Sequence, residues 1–374
     1  MLKLGFAGIG MIAKKYIGLI CQGQVPGVEV TALCSRSLEN IQEAVHSCGL
    51  TNAAVFTDYS ELLRSGAADA VVVCTPNGQH PSMTQAALEA GLHVLTEKPA
   101  GIWMDEIDRA VAALEQRPEL VGGVMYNRRM SKAYRKVKSL IQEGFLGELV
   151  RATWLITTLY RPNAYYASGA WRGSWQGEGG GLLMTQVSHQ LDLLQWLCGM
   201  PVSVLARCGT VNRPIEVENE AELLLTFANG AHGQFIASGH EQPGTDRLEI
   251  CGTKGRIVVT DGREVEICCL AQEERAFTIS CTQPFGEIPS TVERLSFDDG
   301  TNEIQQAAAL ANFAEAVAGR SPIMCSLQEG VRSLQMIQAA YLSHWNRSEM
   351  AIPADPKAFP AALEERGFGR SRSI

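Results

Sequence analysis

Near the N-terminus, Gly8-Ile9-Gly10-Met11-Ile12-Ala13 has the spacing G-x-G-x-x-A. In such a spacing the first glycine permits a tight turn and the second lets backbone approach a pyrophosphate. The small third residue lets a helix pack closely on a strand. Gly8, Gly10, Met11 and Ile12 then offer backbone N–H groups and a helix N-terminus to negative charge. Further on, Cys34-Ser35-Arg36-Ser37 closes an apolar run without the carboxylate that commonly holds a ribose 2′-hydroxyl. Arg36 can instead accept a 2′-phosphate, helped by the Ser35 hydroxyl, which tilts the reading toward NADP over NAD. Two more clusters fall at successive strand ends between 71 and 99: Thr75-Pro76-Asn77 with His80, then Glu97-Lys98-Pro99. A lysine set between a carboxylate and a proline is oddly placed for a solubilising surface charge.

The second half carries another constellation. Read as one helix from Gly180 to Cys198, the chain puts Thr185, His189, Asp192 and Trp196 on one stripe at about 100° per residue. Leu183, Val187, Leu191, Leu194 and Cys198 form the opposite stripe, which should pack on a sheet. A solvated face normally carries Lys and Glu, yet Asp192 is the one formal charge of this helix. The polar stripe is therefore expected to face something other than bulk water. Between 158 and 181 lie Tyr160, Arg161, Tyr165, Tyr166, Trp171, Arg172 and Trp175. Such a mixture suits the flat, hydrogen-bonding lining of a sugar site, or else an ordered loop packed at a subunit contact.

Those residues need elements to position them. Apolar strands ("KLGFAGI", "VEVTALC", "DAVVVCTP", "HVLTEKP") alternate with helices about ten residues long, the pattern of parallel strands covered on both faces. This is a doubly wound α/β domain, expected over 1–125, whose ligands bind outside the carboxyl ends of the strands. Residues 126–374 form a second, α+β domain. Its strands alternate in period two, with turn signals at Asn229-Gly230, Gly252–Gly255 and Asp261-Gly262, so its sheet should be large and mostly antiparallel. Residues 282–301 read as a long polar connection, helices follow at about 302–318 and 328–345, and the tail from Leu363 is expected to be exposed.

Composition bounds the partners. The 374 residues exceed what one core usually serves, and 46% of them are hydrophobic. A net charge of −8 argues against nucleic acid and anionic membrane as partners. The 11 cysteines are scattered with no C-x-x-C, which reads as reduced thiols in a cytoplasmic protein. No metal-spaced cluster of His, Cys and carboxylates appears.

The Gly8–Ala13 fingerprint, joined to T-P-N and E-K-P, resembles the Gfo/Idh/MocA family of NAD(P)-dependent sugar and inositol oxidoreductases. The resemblance covers nearly the whole chain. Residues 123–149, with Asn127 and Arg128, are similar to the family's hinge segment, and "LQEGVRSLQMIQAAYLSHWNRSEMAIP" to its closing helix. It implies that Lys98 lies by the nicotinamide and the substrate hydroxyl. It also implies that His189 is the histidine of the family's D-x-x-x-H pair. Thr185 stands where that pair has aspartate; it can hydrogen-bond but adds no charge, leaving Asp192 as the carboxylate on the stripe. The expected activity is hydride transfer between NAD(P) and a hydroxyl-bearing carbon of a sugar, inositol or related polyol, with a neutral substrate favoured although Arg161 and Arg172 could hold a phosphate or carboxylate. Asn127, Arg128, Tyr160, Trp171 and Arg172 are candidate substrate contacts, and a homodimer or homotetramer is implied. The missing aspartate keeps a non-catalytic cofactor-binding sensor open, and a redox-assisted glycosidase stands as a further alternative.

Overall fold

The computed structural model describes residues 1–169, 171–298 and 301–369. The chain divides into two compact units, Met1–Met130 with Gly300–Leu334, and Ser131–Asp299 with Gln335–Ile374.

In the first unit, strands β1 (Leu2–Ala7), β2 (Val28–Cys34), β3 (Ala54–Phe56), β4 (Ala70–Val73), β5 (His93–Thr96) and β6 (Gly122–Val124) form one sheet. Its order is β3-β2-β1-β4-β5-β6, and every pair is parallel. Helices α1 (Met11–Cys21), α2 (Leu38–Cys48), α3 (Tyr59–Arg64), α4 (His80–Glu89) and α5 (Met104–Glu115) make the crossovers. The strands are apolar throughout because both faces are covered; Ala70, Val71, Val72 and Val73 are all fully buried. Strand order reverses between β1 and β4, so the fold opens a ligand crevice at that switch point.

The second unit is built on a nine-stranded sheet. It contains α6 (Lys132–Gln142), β7 (Leu149–Ile156), and the short helices α7 (Asn163–Ala167), α8 (Trp175–Glu178) and α9 (Leu182–Thr185). Next come α10 (Ser188–Cys198), β8 (Pro201–Gly209), β9 (Glu220–Phe227), β10 (His232–Ser238), β11 (Asp246–Gly252), β12 (Gly255–Thr260), β13 (Glu264–Leu270), α11 (Glu274–Ser280) and β14 (Ser290–Ser296). After α12 (Asn302–Val317) and α13 (Leu327–Asn346), β15 (Met350–Ala351) and α14 (Ala358–Glu365) end the described chain. The order is β14-β13-β12-β11-β7-β10-β9-β8-β15; only β7 and β10 run parallel. Period-two burial is clear in β9, where Ala221, Leu223, Leu225 and Phe227 are buried while Glu222 and Leu224 face out.

Three expectations are corrected. The stretch 282–301 is not only a connection: it contains β14, whose exposed residues are held by the ladder to β13 and by Arg294 on Glu266. Its polarity hid it, and residues 299 and 300 lie outside the described set. Helix α12 belongs to the first unit, not to a second domain running through 126–374: it packs Ala307, Leu310 and Phe313 into the first unit's core, with Leu4 and Phe6 of β1. The tail is partly buried: Leu363 is enclosed, and Phe368 meets the Trp175 ring at 6.3 Å. The last five residues, 370–374, lie outside the described set. Among the described residues no helix is long and apolar enough to cross a membrane.

Candidate active site

The candidate cofactor site of the first unit is assembled at the carboxyl ends of β1, β2, β4 and β5. Gly8 ends β1 at φ +88°, and a Cβ there would stand 2.8 Å from the Cys74 carbonyl. Only glycine satisfies both the dihedral and the space. Gly10 differs: a Cβ there would meet nothing within 4 Å, so no protein packing demands glycine. The open space fits a cofactor pyrophosphate resting on backbone, with first-turn amides of α1 lacking intrahelical acceptors. Ala13 is fully buried in the strand–helix contact, Met11 is exposed and Ile12 half-buried.

At the β2 tip, Ser35 Oγ accepts from the Ser37 amide at 3.2 Å, and Ser37 caps α2. Arg36 is exposed and has no ion-pair partner among the described residues. Lys14 of α1 reaches this tip, donating to Asn40 Oδ1 at 3.1 Å and pairing with Glu43.

Thr75, Pro76 and Asn77 form the turn after β4. His80 is buried behind it, with Nε2 2.7 Å from the Thr75 carbonyl and Nδ1 2.8 Å from the Pro99 carbonyl. It thereby ties the turn after β4 to the turn after β5. Burial holds the His80 pKa below the ordinary value, against the pull of the two carbonyls. Its contribution runs through the backbone of those turns, because both ring nitrogens face carbonyls. Lys98 is half-buried between them. Beneath it, Glu97 accepts from the Lys98 amide at 3.2 Å and from the Tyr16 hydroxyl. Burial raises the Glu97 pKa; Tyr16 and the Lys98 charge oppose that rise.

Asn127 and Arg128 follow β6 in a short 3₁₀ turn. Asn127 is buried and donates to Asn302 Oδ1 at 2.7 Å, and Arg128 is half-buried. Sequence reading passed over their neighbour Arg129, the deeply buried cation of this turn. It donates to the Met324 carbonyl at 3.0 Å and to the Glu329 carboxylate at 2.7 Å.

In the second unit, the single helix expected from Gly180 to Cys198 is two. α9 ends at Thr185, Gln186 and Val187 turn, and α10 begins at Ser188. Thr185 and His189 therefore do not share one continuous helical stripe, and Thr185 Oγ1 donates to the Gly181 carbonyl at 2.8 Å. His189, Asp192 and Trp196 do lie on one face of α10. Asp192 is buried and accepts from Gln195 Nε2 at 3.1 Å; His189 and Trp196 are half-buried. Lys138 of α6 donates to the Trp196 carbonyl at 2.5 Å, near the negative end of α10.

The segment before α9 is held by a residue that sequence reading missed. Glu218 accepts from the Gly181 amide at 3.0 Å, the Leu183 amide at 2.9 Å and the Tyr341 hydroxyl at 2.9 Å. It fixes the start of the helix pair that carries His189. Burial pushes its pKa up to about 7, against those three hydrogen bonds. A folded-state pKa above the ordinary 4.5 means the folded protein binds the proton more tightly. Stability is therefore expected to be greatest below about pH 4.5 as far as this group is concerned, and to fall as pH rises to about 7. Glu218→Gln should remove that slope, so the wild-type-minus-variant difference in melting temperature should drift between pH 5 and 7.5 in calorimetry. A constant difference would show that Glu218 does not titrate in this range.

The aromatic segment divides. Trp175 is buried among Tyr341 and Trp345 at 5.0 and 5.4 Å between ring centroids, so its role is packing. Tyr160, Arg161, Tyr165, Trp171 and Arg172 stay together, and Trp171 is 51% exposed.

Residues 2–123 match the family model described as an oxidoreductase family with an NAD-binding Rossmann fold, and residues 134–258 match the GFO/IDH/MocA C-terminal domain. Levoglucosan dehydrogenase of Pseudarthrobacter phenanthrenivorans is 26% identical over 345 residues, covering 83% of this chain and 86% of that one. Myo-inositol 2-dehydrogenase of Thermotoga maritima is 25% identical over 268 residues, covering 69% and 77%. Among solved structures, the WlbA dehydrogenase of Bordetella pertussis in complex with NADH and UDP-GlcNAcA superposes with a TM-score of 0.76 at 27% identity, covering 95% and 99%.

Proposed function

Since the chain belongs to the Gfo/Idh/MocA family of oxidoreductases, we propose that it is an NAD(P)-dependent dehydrogenase or reductase acting on a hydroxyl-bearing carbon of a sugar or polyol. One observation carries the reading: a sterically obligatory Gly8, an open Gly10 and a half-buried Lys98 backed by Glu97 meet at one switch point. A bound nicotinamide supplies the hydride acceptor or donor. Lys98 stabilises the developing alkoxide, and Glu97 and His80 hold its backbone in place. His189 takes the hydroxyl proton during oxidation and returns it during reduction. Asp192 supports that helix face. Tyr160, Trp171 and Arg172 contact the substrate, and Asn127 and Arg128 shape the turn after β6. Relatives named for levoglucosan and myo-inositol support a polyhydroxy substrate.

The carboxylate-free β2 tip leaves Arg36 available to a 2′-phosphate, which supports use of NADP. The relative solved with NADH supports use of NAD. Arg36→Ala is expected to weaken NADPH about tenfold or more while changing NADH little, since a charge-assisted hydrogen bond contributes about 1.5–3 kcal/mol. Fluorescence titration of both cofactors checks this; equal losses would remove the Arg36 assignment. A screen of sugars and polyols for cofactor reduction separates the dehydrogenase from a sensor, which would bind cofactor and turn nothing over. We propose further that the protein is cytoplasmic and a homodimer or homotetramer. Exposed Leu205 and Leu224 on the outer face of the second sheet support association, and ultracentrifugation would show it.

A further inference from the structure

The second unit brings Arg161 and Arg172 of the aromatic segment together with Arg213, far along the chain, onto one set of rings. Arg172 stacks 4.4 Å over Tyr165 and 4.3 Å over Trp171, Arg161 lies 5.1 Å from Tyr165, and Arg213 lies 5.2 Å from Tyr160. Short bonds pin the forks. Arg172 Nη1 donates to the Tyr165 hydroxyl at 2.7 Å, Arg161 Nη1 to the Tyr160 carbonyl at 2.9 Å, and Arg213 Nε to the Arg161 carbonyl at 2.7 Å. Among the described residues none of the three has a carboxylate within ion-pair distance, and none of their Nη2 groups has an acceptor. On the sheet of this unit, by contrast, four arginines are paired: Arg151 and Arg247 on Glu249, Arg256 and Arg294 on Glu266. Like charges gathered with no carboxylate in ion-pair contact repel one another, and rings hold guanidinium planes in place without cancelling their charge. The cluster is joined to the His189 region, because Tyr166 faces both Arg213 and the side chain of Gln186, in the turn between α9 and α10.

We propose that Arg161, Arg172 and Arg213 form an oxyanion seat, and that the substrate is a sugar or polyol derivative carrying a carboxylate or phosphate. This rests on the dehydrogenase reading above, and it replaces the neutral substrate expected from sequence. There Arg213, far along the chain, stood apart from the aromatic segment. Guanidinium forks held by stacking present parallel N–H donors that match a carboxylate or phosphate bidentately.

The test compares matched sugars on the cofactor-saturated protein: D-glucose, D-glucuronate and D-glucose 6-phosphate, and myo-inositol with its 1-phosphate. An anionic member is expected to have a KM about tenfold to a hundredfold below its neutral partner, the range for a hydrogen bond to a charged group. Arg172→Gln and Arg213→Gln should erase that preference, and Arg172→Lys should restore part of it. Unchanged cofactor affinity and far-ultraviolet circular dichroism would show that the variants fold. A purely structural arginine cluster predicts equal losses for anionic and neutral members, and that result overturns the proposal. So does turnover of neutral sugars at equal or lower KM, which leaves the dehydrogenase reading standing. If no sugar is oxidised, that reading fails by itself, and the seat is judged by thermal shift. D-glucuronate or D-glucose 6-phosphate should raise the wild-type melting temperature and not that of Arg172→Gln; no shift in the wild type overturns the seat. Uronate against sugar phosphate decides which oxyanion it takes.

Discussion

His189→Ala and Lys98→Met are each expected to lower kcat by about 10²- to 10⁴-fold, the usual worth of positioned acid–base help. Cofactor affinity should hold nearly constant. For His189 the reason is position: it sits on α10 of the second unit, whereas Gly8, Gly10 and the β2 tip belong to the first. For Lys98 it is geometry: the turn is held through its backbone, by Glu97 on the amide and His80 on the Pro99 carbonyl. Removing the ammonium therefore leaves the turn in place. The two variants differ in their pH profiles. In the oxidation direction a protonated imidazole cannot accept a proton, so wild-type kcat should fall on the acid side. His189→Ala should flatten that limb, and Lys98→Met should keep it at a lower plateau. If His189→Ala retains near-normal kcat across pH, another group carries the proton. If it also loses cofactor binding, the defect is in folding rather than chemistry.

Much of this arrangement was legible in the chain because it rests on local rules. Unbroken Val, Ile and Leu runs give buried parallel strands, and the tight turn at Gly8 already favours glycine through its positive φ, to which the fold adds the nearby Cys74 carbonyl. What escaped depends on distant partners. The break at Gln186–Val187 has no proline to announce it, although Gly179, Gly180 and Gly181 stand just before. That segment's N-terminal amides are held by Glu218, more than thirty residues on in the chain and within a stretch that reads as a strand approach. A buried glutamate in such a place looks like any surface glutamate until the fold closes over it. Strand β14 escaped for the opposite reason: its residues are polar and exposed, and it exists because β13 offers it a ladder. Arg213 carries no local signal, and it matters only because the fold sets it against Arg161 and Tyr160.

The two glycines of the opening turn should respond in opposite ways, and the contrast tests whether the turn holds a cofactor at all. Gly10→Val adds a side chain where the protein places nothing within 4 Å, so the melting temperature should stay close to wild type. The same side chain occupies the space over the α1 N-terminus. If it removes two amide bonds to a phosphate, at about 1.5–3 kcal/mol each, NAD(P) affinity should fall by roughly a hundredfold or more. Gly8→Val does its damage before any ligand arrives. A β-branched residue at φ +88° is strained by about 1–3 kcal/mol, and its Cβ meets the Cys74 carbonyl at 2.8 Å, which adds overpacking of similar size. At roughly 2–4 °C per kcal/mol, melting of the first unit should drop by about 5–20 °C. Calorimetry with and without saturating cofactor separates the cases: the wild type gains stability from ligand, and Gly10→Val melts normally and gains none. Gly8→Val melts early. Should Gly10→Val bind cofactor as the wild type does, the pyrophosphate does not rest on that backbone, and the open space beside Gly10 has another use.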